Sequence, residues 1–540
     1  MLNLENTFAN PSAVNNGGYE APHRFLILGL GESGIAMAKW CLRNGASVRL
    51  ADTRNQSELT DRQNAYLEEL RIAGFQDIQF GPLDDQLLSD IDVIGISPGL
   101  SPLQEPAQSF LVKARKARVD VWSEIEFFAR AIAALESMAL ASNSSYASTV
   151  LAVTGTNGKT TTTALTGQLC ERAGKKVAVA GNISPAALDK LMSCLDGADQ
   201  LEDMPDIWVL ELSSFQLVYT STLNPRAATV LNLSQDHLDW HGDMSSYAEA
   251  KSKIFGNDTI CILNRDDPLV MGLLTDEQKN EHAIVTFGAN RPSEQGEFGI
   301  EHDLRAGGID WLVWGEIDED VEPKPKRRRK GAPVEEGEPL RLKRLIPADA
   351  LRIRGRHNAL NALAALALAR AANLPMNILL HGLRDYHGEP HRVQSIAIVK
   401  DVEYIDDSKG TNVGATVAAL NGLGNSESGK RIWLIAGGVG KGQDFSPLRE
   451  PALRFVKGAF LIGEDAERIA EVLNEQVPCT NSGTLQAAVQ SAAVQAQSGD
   501  MVLLSPACAS FDQFRDYVQR AEVFVSEVEE LGMRFEGVQA

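Results

Sequence analysis

One short segment of the chain has the residue types that bind nucleotide phosphates. TGTNGKTTT, residues 154–162, follows an apolar run and precedes a helical pattern. Backbone N–H groups from Gly155 to Lys159 can surround phosphate oxygens, Lys159 can reach the terminal phosphates, and the Thr160 hydroxyl can bind Mg²⁺. The usual Walker spacing needs a glycine where Val153 stands, so this is a shortened variant. The segment predicts ATP binding; the alternative is a strand–helix turn with an accidental GKT.

A second glycine-rich segment, GLGESG at residues 29–34, follows the first predicted strand. Its three glycines have the GxGxxG spacing that lets a backbone approach a phosphate at a helix N-terminus. Asp52 ends the next predicted strand, where a carboxylate can bond a ribose. The pattern favours a nucleotide-type ligand but does not distinguish NAD from other nucleotides. A tight turn without a ligand is the alternative.

Three side chains beyond the phosphate loop also follow predicted strands or lie near them. Glu211 ends the strand WVLEL, where a metal ligand is expected beside a phosphate loop, although a buried structural glutamate is the alternative. His237 follows another strand together with Asp236, and Lys251 lies in a predicted helix. Taken singly, His237 is more typical of a core histidine, and Lys251 of a surface lysine.

The last third of the chain contains four segments that suit an anion-binding cleft. Each adjoins a predicted strand and mixes small residues with a cation or a hydroxyl. They are PHR (390–392), DDSKGTN (406–412), GGVGKGQDF (437–445) and SPACASFDQF (505–514). Cys508 has no basic neighbour in the sequence, which favours a buried small residue over a thiol nucleophile.

Short apolar runs alternate with amphipathic stretches and predict an α/β fold of three consecutive domains. We expect a Rossmann-like first domain, a central mononucleotide-binding domain of the P-loop ATPase type, and a Rossmann-like last domain. The predicted divisions are a flexible extension (1–22) and three domains (23–147, 148–388 and 389–540).

Two segments interrupt this regular pattern. The Ser- and Ala-rich residues 138–149, within a stretched 131–149 connection, indicate a linker. Residues 316–344 have dense mixed charge and indicate a solvated loop. The KRRRK run within it could instead be a nucleic-acid or localisation signal, but acidic blocks lie on both sides.

Composition excludes several classes of protein. The chain has 540 residues, with 51 Lys and Arg against 72 Asp and Glu, a net charge of −21. Such a chain is a poor non-specific binder of nucleic acid, since phosphate contacts need clustered Lys and Arg. Its 6 cysteines form no CxxC pair, which indicates reduced thiols. The first residues do not resemble a signal peptide, and no apolar run is long enough for a membrane span, so we expect a cytoplasmic protein.

Taken together and in this order, the motifs resemble those of the Mur ligase family over roughly residues 24–535. The resemblance rests on TGTNGKT, ELSSFQL, DHLDWHG with YAEAK, GRHNALNALAA, PHR, DDSKGTN, GGVGKGQDF and SPACASFDQF. ELSSFQL, DDSKGTN and SPACASFDQF look specific to the D-glutamate-adding members. The resemblance implies an ATP- and Mg²⁺-dependent ligase that joins D-glutamate to UDP-N-acetylmuramoyl-L-alanine through an acyl phosphate. We expect small-molecule partners only, and a monomer.

The resemblance also implies roles for individual residues. ATP would contact the phosphate loop and residues from both flanking regions, namely Gly155, Thr156, Asn157, Gly158, Lys159, Thr160, Thr161, Asn358, Asn361, Arg392, Asp407 and Lys409. The metal would be held by Thr160, Glu211, His237 and a carbamylated Lys251. Lys159, Glu211, His237 and Lys251 would be catalytic.

The remaining implied positions concern the other two substrates. The UDP substrate would contact Gly31, Glu32, Ser33, Asp52, Thr53, Ser97, Pro98, Gly99, Asn182 and His237. D-Glutamate would contact Thr411, Lys441 and Ser510, with Tyr517 nearby. In this interpretation the GLGESG segment is not an NAD site.

Other functions are compatible with parts of the sequence. Another Mur ligase or a folylpolyglutamate synthase would share the phosphate loop, although ELSSFQL and SPACASFDQF argue against both. An NAD(P)-dependent oxidoreductase would use GLGESG but would not need GTNGKTT. A nucleotide-binding regulatory protein would bind ATP without forming an amide.

Overall fold

A computed structural model describes most of the chain. The described residues are Leu2, 4–9, 22–317 and 340–536, apart from gaps at 73, 76, 305–307, 425–428 and 474–476. Three sheets follow one another along these residues, as the alternating pattern predicts. None of the helices in the described ranges is long and apolar enough to cross a membrane.

The first sheet is wholly parallel, with the order β3-β2-β1-β4-β5 among the described residues. Its strands are β1 (Arg24–Leu28), β2 (Ser47–Asp52), β3 (Ile78–Phe80), β4 (Val93–Ile96) and β5 (Asp120–Trp122). Its helices are α1 (Glu32–Arg43), α2 (Asp61–Ile72), α3 (Ala107–Lys116) and α4 (Glu124–Ala141). The strand order reverses between β1 and β4, and a ligand crevice is expected at such a point.

The second sheet has the order β14-β13-β12-β11-β10-β9-β6-β8-β7 in the part of the chain described. Its strands are β6 (Thr149–Thr154), β7 (Val177–Gly181), β8 (Ile207–Glu211), β9 (Ala227–Val230), β10 (Ile260–Asn264), β11 (Ile284–Phe287), β12 (Phe298–Asp303), β13 (Ile309–Ile317) and β14 (Leu340–Pro347). The last three are antiparallel. Strand β6, which leads into the phosphate loop, lies between β8 and β9.

Helices cover the second sheet and bury its strands. They are α5 (Lys159–Arg172), α6 (Ala187–Gly197), α7 (Ser214–Val218), α8 (Leu238–His241), α9 (Met244–Ser252), α10 (Pro268–Met271), α11 (Asp276–Glu281), α12 (Arg356–Ala371) and α13 (Met376–Asp385). The alanine- and leucine-rich helix α12 is buried along most of its length and shares a core with Leu165 and Leu169 of α5. This packing fixes the helix that begins at the phosphate loop.

The third sheet has the order β15-β16-β20-β17-β18-β19 over the described residues, and only its edge strand β15 is antiparallel. Its strands are β15 (Gln394–Val399), β16 (Val402–Asp406), β17 (Ile432–Gly437), β18 (Val456–Ile462), β19 (Cys479–Gly483) and β20 (Met501–Leu504). Its helices are α14 (Val413–Leu423), α15 (Arg449–Phe455), α16 (Ala466–Leu473), α17 (Leu485–Gln495) and α18 (Tyr517–Glu536).

The expected loose N-terminal extension is wrong for its first residues. Leu2 and Phe8 are buried, and the Phe8 ring lies 4.7 Å from that of Phe25 on β1. The backbone N–H of Leu2 donates to Leu195 of α6. Two apolar side chains in a polar stretch are a weak signal, because contacts with distant elements are what order them. Residues 10–21 lie outside the described residues.

Both predicted interruptions also need correction. Residues 131–141 belong to helix α4, where Leu135 and Ala139 are buried, so only the stretch from 142 to 148 connects elements. The ends of the charged insertion are strands, because β13 and β14 pair up to Ile317 and Leu340. Alternation of charged and apolar residues in LRLKRLIP is compatible with a half-buried strand. Residues 318–339, including KRRRK, lie outside the described residues.

Candidate active site

The phosphate loop connects β6 to α5 in the way that its glycines require. Gly155 has a φ of +148° and Gly158 a φ of +84°. A Cβ atom at Gly158 would lie 2.5 Å from Oδ1 of Asn361, so this position also lacks room for a side chain. Helix α5 begins directly after Gly158. The loop N–H groups therefore lie at a helix N-terminus, where an anion is stabilised.

Lys159 folds back onto this loop. Its Nζ donates to the carbonyl oxygens of Gly155 at 2.9 Å and Thr156 at 2.8 Å. Removal from water lowers the pKa of Lys159, whereas the carboxylates of Glu211 and Asp236 oppose that shift. The ammonium is therefore held beside the loop and not extended into solvent. In this position it can contact a phosphate bound by the loop.

Glu211 ends the buried strand β8 and points one oxygen at an amide. Its Oε1 accepts from Nδ2 of Asn182 at 2.8 Å, and the Asn182 backbone N–H donates to the Glu211 carbonyl at 2.7 Å. The side chain is 3% exposed, and its buried Oε2 has no hydrogen-bond partner among the described atoms. An unpartnered carboxylate oxygen of this kind suits a cation, since a buried charge needs a partner.

Lys251 is buried, so the surface-lysine interpretation is wrong. The side chain is 1% exposed, and Nζ donates to Thr154 Oγ1 at 3.2 Å and to the Gly155 carbonyl at 2.9 Å. Nζ also lies 4.7 Å from the ring centre of Tyr247. Desolvation lowers the pKa of Lys251 well below its usual value, and the charge of Lys159 acts in the same direction. Helix α9 thus brings this amine to the phosphate loop.

His237 lies immediately before the short helix α8, with a φ of 55°. Its ring is 4.7 Å from that of Phe215, and its Nε2 is 3.6 Å from Oδ2 of Asp236. Burial lowers the pKa of His237; Asp236 opposes this, and the charges of Lys441 and Lys159 reinforce it. With a third of its side chain exposed, it is not a fully enclosed core residue. A neutral imidazole facing lysines can accept a proton or a hydrogen bond.

Residues of the third sheet reach this loop directly. Nη2 of Arg392 donates to Thr160 Oγ1 at 2.9 Å. The side-chain amides of Asn157 and Asn412 exchange two hydrogen bonds, at 3.2 and 3.0 Å. These contacts join the phosphate loop to the third sheet. The arrangement is therefore one in which groups from both parts can act on one ligand.

The other predicted ATP contacts lie around the same loop. Asn361 donates from Nδ2 to Oδ1 of Asn358 at 3.1 Å, on the first turns of α12. Burial raises the pKa of Asp407 to about 7, although Ser505 donates to its Oδ2. Burial and the nearby Arg392 lower the pKa of Lys409 to about 8.

The predicted D-glutamate residues lie on segments that meet at the carboxyl ends of strands. The backbones of Val439 and Ala509 exchange two hydrogen bonds, both 2.9 Å, and Ala507 donates to the carbonyl of Gly410. These bonds bring together the segments that carry Thr411, Lys441 and Ser510. Ser510 is buried, and Nζ of Lys409 lies 5.5 Å from the ring centre of Tyr517. Cys508 is buried as expected, and burial raises the pKa of its thiol to about 12.

A separate pocket of about 350 Å³ lies at the reversal point of the first sheet. Its lining includes all eight of the positions predicted there for the UDP substrate: Gly31, Glu32, Ser33, Asp52, Thr53, Ser97, Pro98 and Gly99. The Asp52 carboxylate already has partners within the protein. Its Oδ2 accepts from the Leu30 backbone N–H and from Arg54, both at 2.6 Å. The carboxylate thus holds the glycine-rich loop and the guanidinium, and the ribose contact stays a prediction.

Among the predicted metal ligands, Glu211 has a free carboxylate oxygen. In the described ranges, no group of three or more His, Cys, Asp or Glu side chains could hold a metal ion. The hydroxyl of Thr160 accepts from Arg392, and Glu211 offers its free Oε2. Mg²⁺ is usually bound by one or two carboxylates together with water and substrate phosphates, so Glu211 fits such an ion.

Some contributors were missed from the sequence. Arg54 lines the pocket of the first sheet, and Asn412 joins the phosphate loop to the third sheet, since its Nδ2 also lies 3.3 Å from Oδ2 of Asp236. Each stands beside a predicted position: Arg54 follows Thr53, and Asn412 ends DDSKGTN. Proximity to a motif was the available signal.

Comparison with known proteins agrees with this division into three parts. Residues 23–122 match the model of the Mur ligase MurD-like N-terminal domain. Residues 153–322 match the Mur ligase middle domain, and residues 391–508 match the glutamate ligase domain of Mur ligases.

Two curated relatives are similar over nearly their whole length. A UDP-N-acetylmuramoylalanine--D-glutamate ligase from Cupriavidus pinatubonensis is 54% identical, covering 96% of this chain and 98% of that protein. A protein of the same name from Ralstonia nicotianae is 55% identical, covering 92% and 95%.

Solved structures show the same fold at lower identity. The MurF ligase from Thermotoga maritima in complex with ADP has a TM-score of 0.53 and 17% identity, covering 96% of this chain and 97% of that one. The UDP-N-acetylmuramate-alanine ligase from the same organism has a TM-score of 0.52 and 19% identity, covering 94% and 99%. With identity above one half over almost the full length of its curated relatives, this chain belongs to the Mur ligase family.

Proposed function

We propose that the chain joins D-glutamate to UDP-N-acetylmuramoyl-L-alanine with ATP, an amide-forming step in peptidoglycan precursor synthesis. The observation that carries the proposal is the 54% identity, over 96% of this chain, to a relative named for that activity. The site geometry supports it, because a phosphate loop, a free buried carboxylate oxygen and two lysines converge there.

The chemistry requires activation of a carboxylate. The L-alanine carboxylate is a poor electrophile because its charge repels a nucleophile. Transfer of the γ-phosphoryl group of ATP forms an acyl phosphate and ADP. The amine of D-glutamate then attacks the acyl carbon, loses a proton and expels phosphate, which leaves an amide.

Phosphoryl transfer depends on cations placed where negative charge develops. Lys159 would contact the β- and γ-phosphates, and Arg392 would approach them from the third sheet. The N–H groups of the phosphate loop would hold the oxygens at the start of α5. Thr156, Asn157, Thr161, Asn358, Asn361, Asp407 and Lys409 would surround the rest of ATP.

The residues present fit a magnesium ion. When bound, Mg²⁺ would offset the repulsion between ATP and the substrate carboxylate. Glu211 would hold it through Oε2, together with Thr160, His237 and Lys251. Asn182, which fixes the other oxygen of Glu211, would also touch the substrate end.

Lys251 would serve as a carbamate. Burial lowers the pKa of this amine well below its usual value, which favours the uncharged form, and an uncharged amine can add to CO₂ with loss of a proton. The product is an oxygen anion on the lysine stem, which is the ligand type that Mg²⁺ prefers. His237, beside the same loop, would bind the substrate carboxyl group.

The two other substrates would enter from opposite parts of the molecule. The pocket of the first sheet would hold the UDP moiety. Thr411, Lys441 and Ser510 would bind the D-glutamate carboxylates, with Tyr517 nearby. In this scheme residues 23–147, 148–388 and 389–540 are the functional domains, and the protein acts as a cytoplasmic monomer.

Measurement of phosphate release tests the proposal. UDP-N-acetylmuramoyl-L-alanine, ATP and Mg²⁺ are offered with D-glutamate, L-glutamate, L-lysine or D-alanine. We expect release only with D-glutamate, together with an amide product. Release with another amino acid would indicate a different Mur ligase, and ATP binding without release would indicate a regulatory protein.

A further inference from the structure

Helix α6 follows the segment that carries Asn182, and its first turn is capped by a residue from another part of the chain. Ala186 precedes the helix and supplies no side-chain acceptor. Instead, Oε1 of Glu124 accepts from the backbone N–H of Leu188 at 2.6 Å. Glu124 is the first residue of α4, which follows the last strand of the first sheet. The bond therefore crosses the boundary between the first and second sheets.

The position of Glu124 is costly for a carboxyl group. The side chain is 1% exposed, and its buried Oε2 has no hydrogen-bond partner among the described atoms. Burial raises the pKa of Glu124 to about 8, and the negative charges of Asp189 and Glu32 act in the same direction. Buried polar groups without partners reduce stability, and such departures are expected where a residue has a functional task.

The segment before α6 is attached at both of the sites described above. Asn182 meets Glu211 through its backbone N–H and through its side-chain amide, at 2.7 and 2.8 Å. Ser184 donates from Oγ to Oε1 of Glu32, a residue lining the pocket of the first sheet, at 2.7 Å. The cap at Leu188 closes this stretch. Residues 182–184 thus connect a residue lining the first pocket with the carboxylate beside the phosphate loop.

We propose that Glu124 is a positioning residue for the ligation. By capping α6 across the boundary, it fixes the 181–186 segment so that the Asn182 amide meets Glu211. Glu124 touches neither substrate nor metal in this scheme and acts through Asn182. The inference rests on the proposed function, which gives Asn182 and Glu211 their part in the reaction.

A double-mutant cycle tests this dependence. The kcat and KM values are measured for wild type, Glu124→Ala, Asn182→Ala and the double variant. Each single change is expected to lower kcat about 10- to 100-fold, as loss of residues that orient metal ligands does. Because both act through one amide, the double variant should be no slower than Asn182→Ala. A double effect equal to the product of the single effects would overturn the proposal, since independent sites add in free energy.

Matched variants separate positioning from general destabilisation. Glu124→Gln keeps an oxygen acceptor for Leu188 and should recover kcat to within about threefold of wild type, a difference under 1 kcal/mol. Thr220→Val removes the contact with Ser123 Oγ, 2.8 Å long at the same boundary, without touching the 181–186 segment. It should leave kcat unchanged. Loss of kcat in Thr220→Val equal to that in Glu124→Ala would contradict the proposal.

The experiment distinguishes a folding defect, failure of the proposed function and failure of the positioning role. If Glu124→Ala does not fold, Glu124→Leu, which fills the site without an acceptor, replaces it in the cycle. If wild type does not use D-glutamate, the proposed function fails. If wild type does and the two effects multiply, only the positioning role of Glu124 fails.

Discussion

Lys159 and Lys251 donate to the same acceptor, the carbonyl oxygen of Gly155, each from Nζ at 2.9 Å. Two ammonium groups this close repel strongly where water is excluded. Burial lowers the pKa of Lys251 well below its usual value, and the charge of Lys159 adds to the shift. The pKa of Lys159 is lowered as well, so the shared oxygen lies between two amines whose protonated forms are both disfavoured, that of Lys251 more strongly.

Replacement of Lys251 should lower the rate of the reaction strongly. Lys251→Ala is expected to lower kcat on the order of 100-fold, comparable to losing one group that stabilises transition-state charge. Small carboxylic acids or bicarbonate should restore part of the activity by supplying an anion, and CO₂ depletion should lower wild-type activity reversibly. Lys253→Ala is the matched control, because that exposed lysine donates to the Val218 carbonyl instead. Full activity of Lys251→Ala would refute the carbamate.

The other lysine should separate binding from turnover. Lys159→Ala removes a cation from the transferring phosphoryl group, and we expect kcat to fall about 10³-fold or more. The Kd for the UDP substrate, measured by calorimetry without ATP, should stay near that of wild type because that pocket belongs to the first sheet. Lys175→Ala, an exposed lysine beyond the same helix, is the control. Normal turnover of Lys159→Ala would exclude its assigned role.

Contacts between the phosphate loop and the third sheet predict a domain movement. Arg392 already reaches Thr160, and the amides of Asn157 and Asn412 already pair. We expect ligands to favour this closed arrangement, because reacting groups must come within about 3.5 Å. X-ray scattering should give a smaller radius of gyration with UDP substrate and a non-hydrolysable ATP analogue than without ligands. Identical profiles under saturating ligands would contradict closure.

Residues 318–339 should be dispensable for turnover. Their neighbours Ile317 and Leu340 are direct partners in the β13–β14 pair, so a two-residue Asn-Gly turn can connect them. We expect kcat to be unchanged and the free energy of unfolding to rise by at most about 2 kcal/mol, since each halving of loop length saves about 0.6 kcal/mol of closure entropy. A Gly/Ser segment of the original length is the control. A folded but inactive short form beside an active control would show that length matters.

Glu124 should make stability depend on pH. Its pKa of about 8 lies above the ordinary value of about 4.3, so the folded protein keeps a proton that the unfolded chain releases. Between those values wild type should lose stability as pH rises, by at most about 1.4 kcal/mol per pH unit. Glu124→Gln cannot titrate and should remove this slope in urea unfolding, whereas the exposed Glu281→Gln should keep it. Parallel slopes in all three would contradict the shift.

Much of the framework followed from the sequence. Buried parallel strands such as Thr149–Thr154 are continuous apolar runs, and glycines mark the turns that follow them. Strand ends of a parallel sheet share one edge, which is why Lys159 and Glu211 could be placed together in advance. The three antiparallel strands β12, β13 and β14 and the edge strand β15 were not predicted. Their mixed polar and apolar residues do not give a clear strand pattern.

What the sequence could not supply was tertiary burial. Lys251 has the pattern of an exposed helix lysine, and only the contact of α9 with the phosphate loop encloses it. Asp52 was expected to face a ribose, but Arg54, two residues later, turns back onto it. Nothing in SEIEFF distinguishes Glu124, because its role depends on a hydrogen bond with the first turn of α6. Each depends on elements distant in the chain, or on a side chain whose direction the pattern does not determine.

The contacts of the N-terminal residues limit how far this protein can be shortened. Phe8 packs between the rings of Phe25 and Phe127, and its carbonyl accepts from the buried Arg130 guanidinium. A shortened version starting at the apparent domain boundary would leave the space between these rings open to water, at a cost of about 2 kcal/mol for one phenylalanine. It would also leave the buried Arg130 guanidinium without one of its acceptors. Removal of the segment that carries Leu2 and Phe8 is therefore expected to lower the free energy of unfolding.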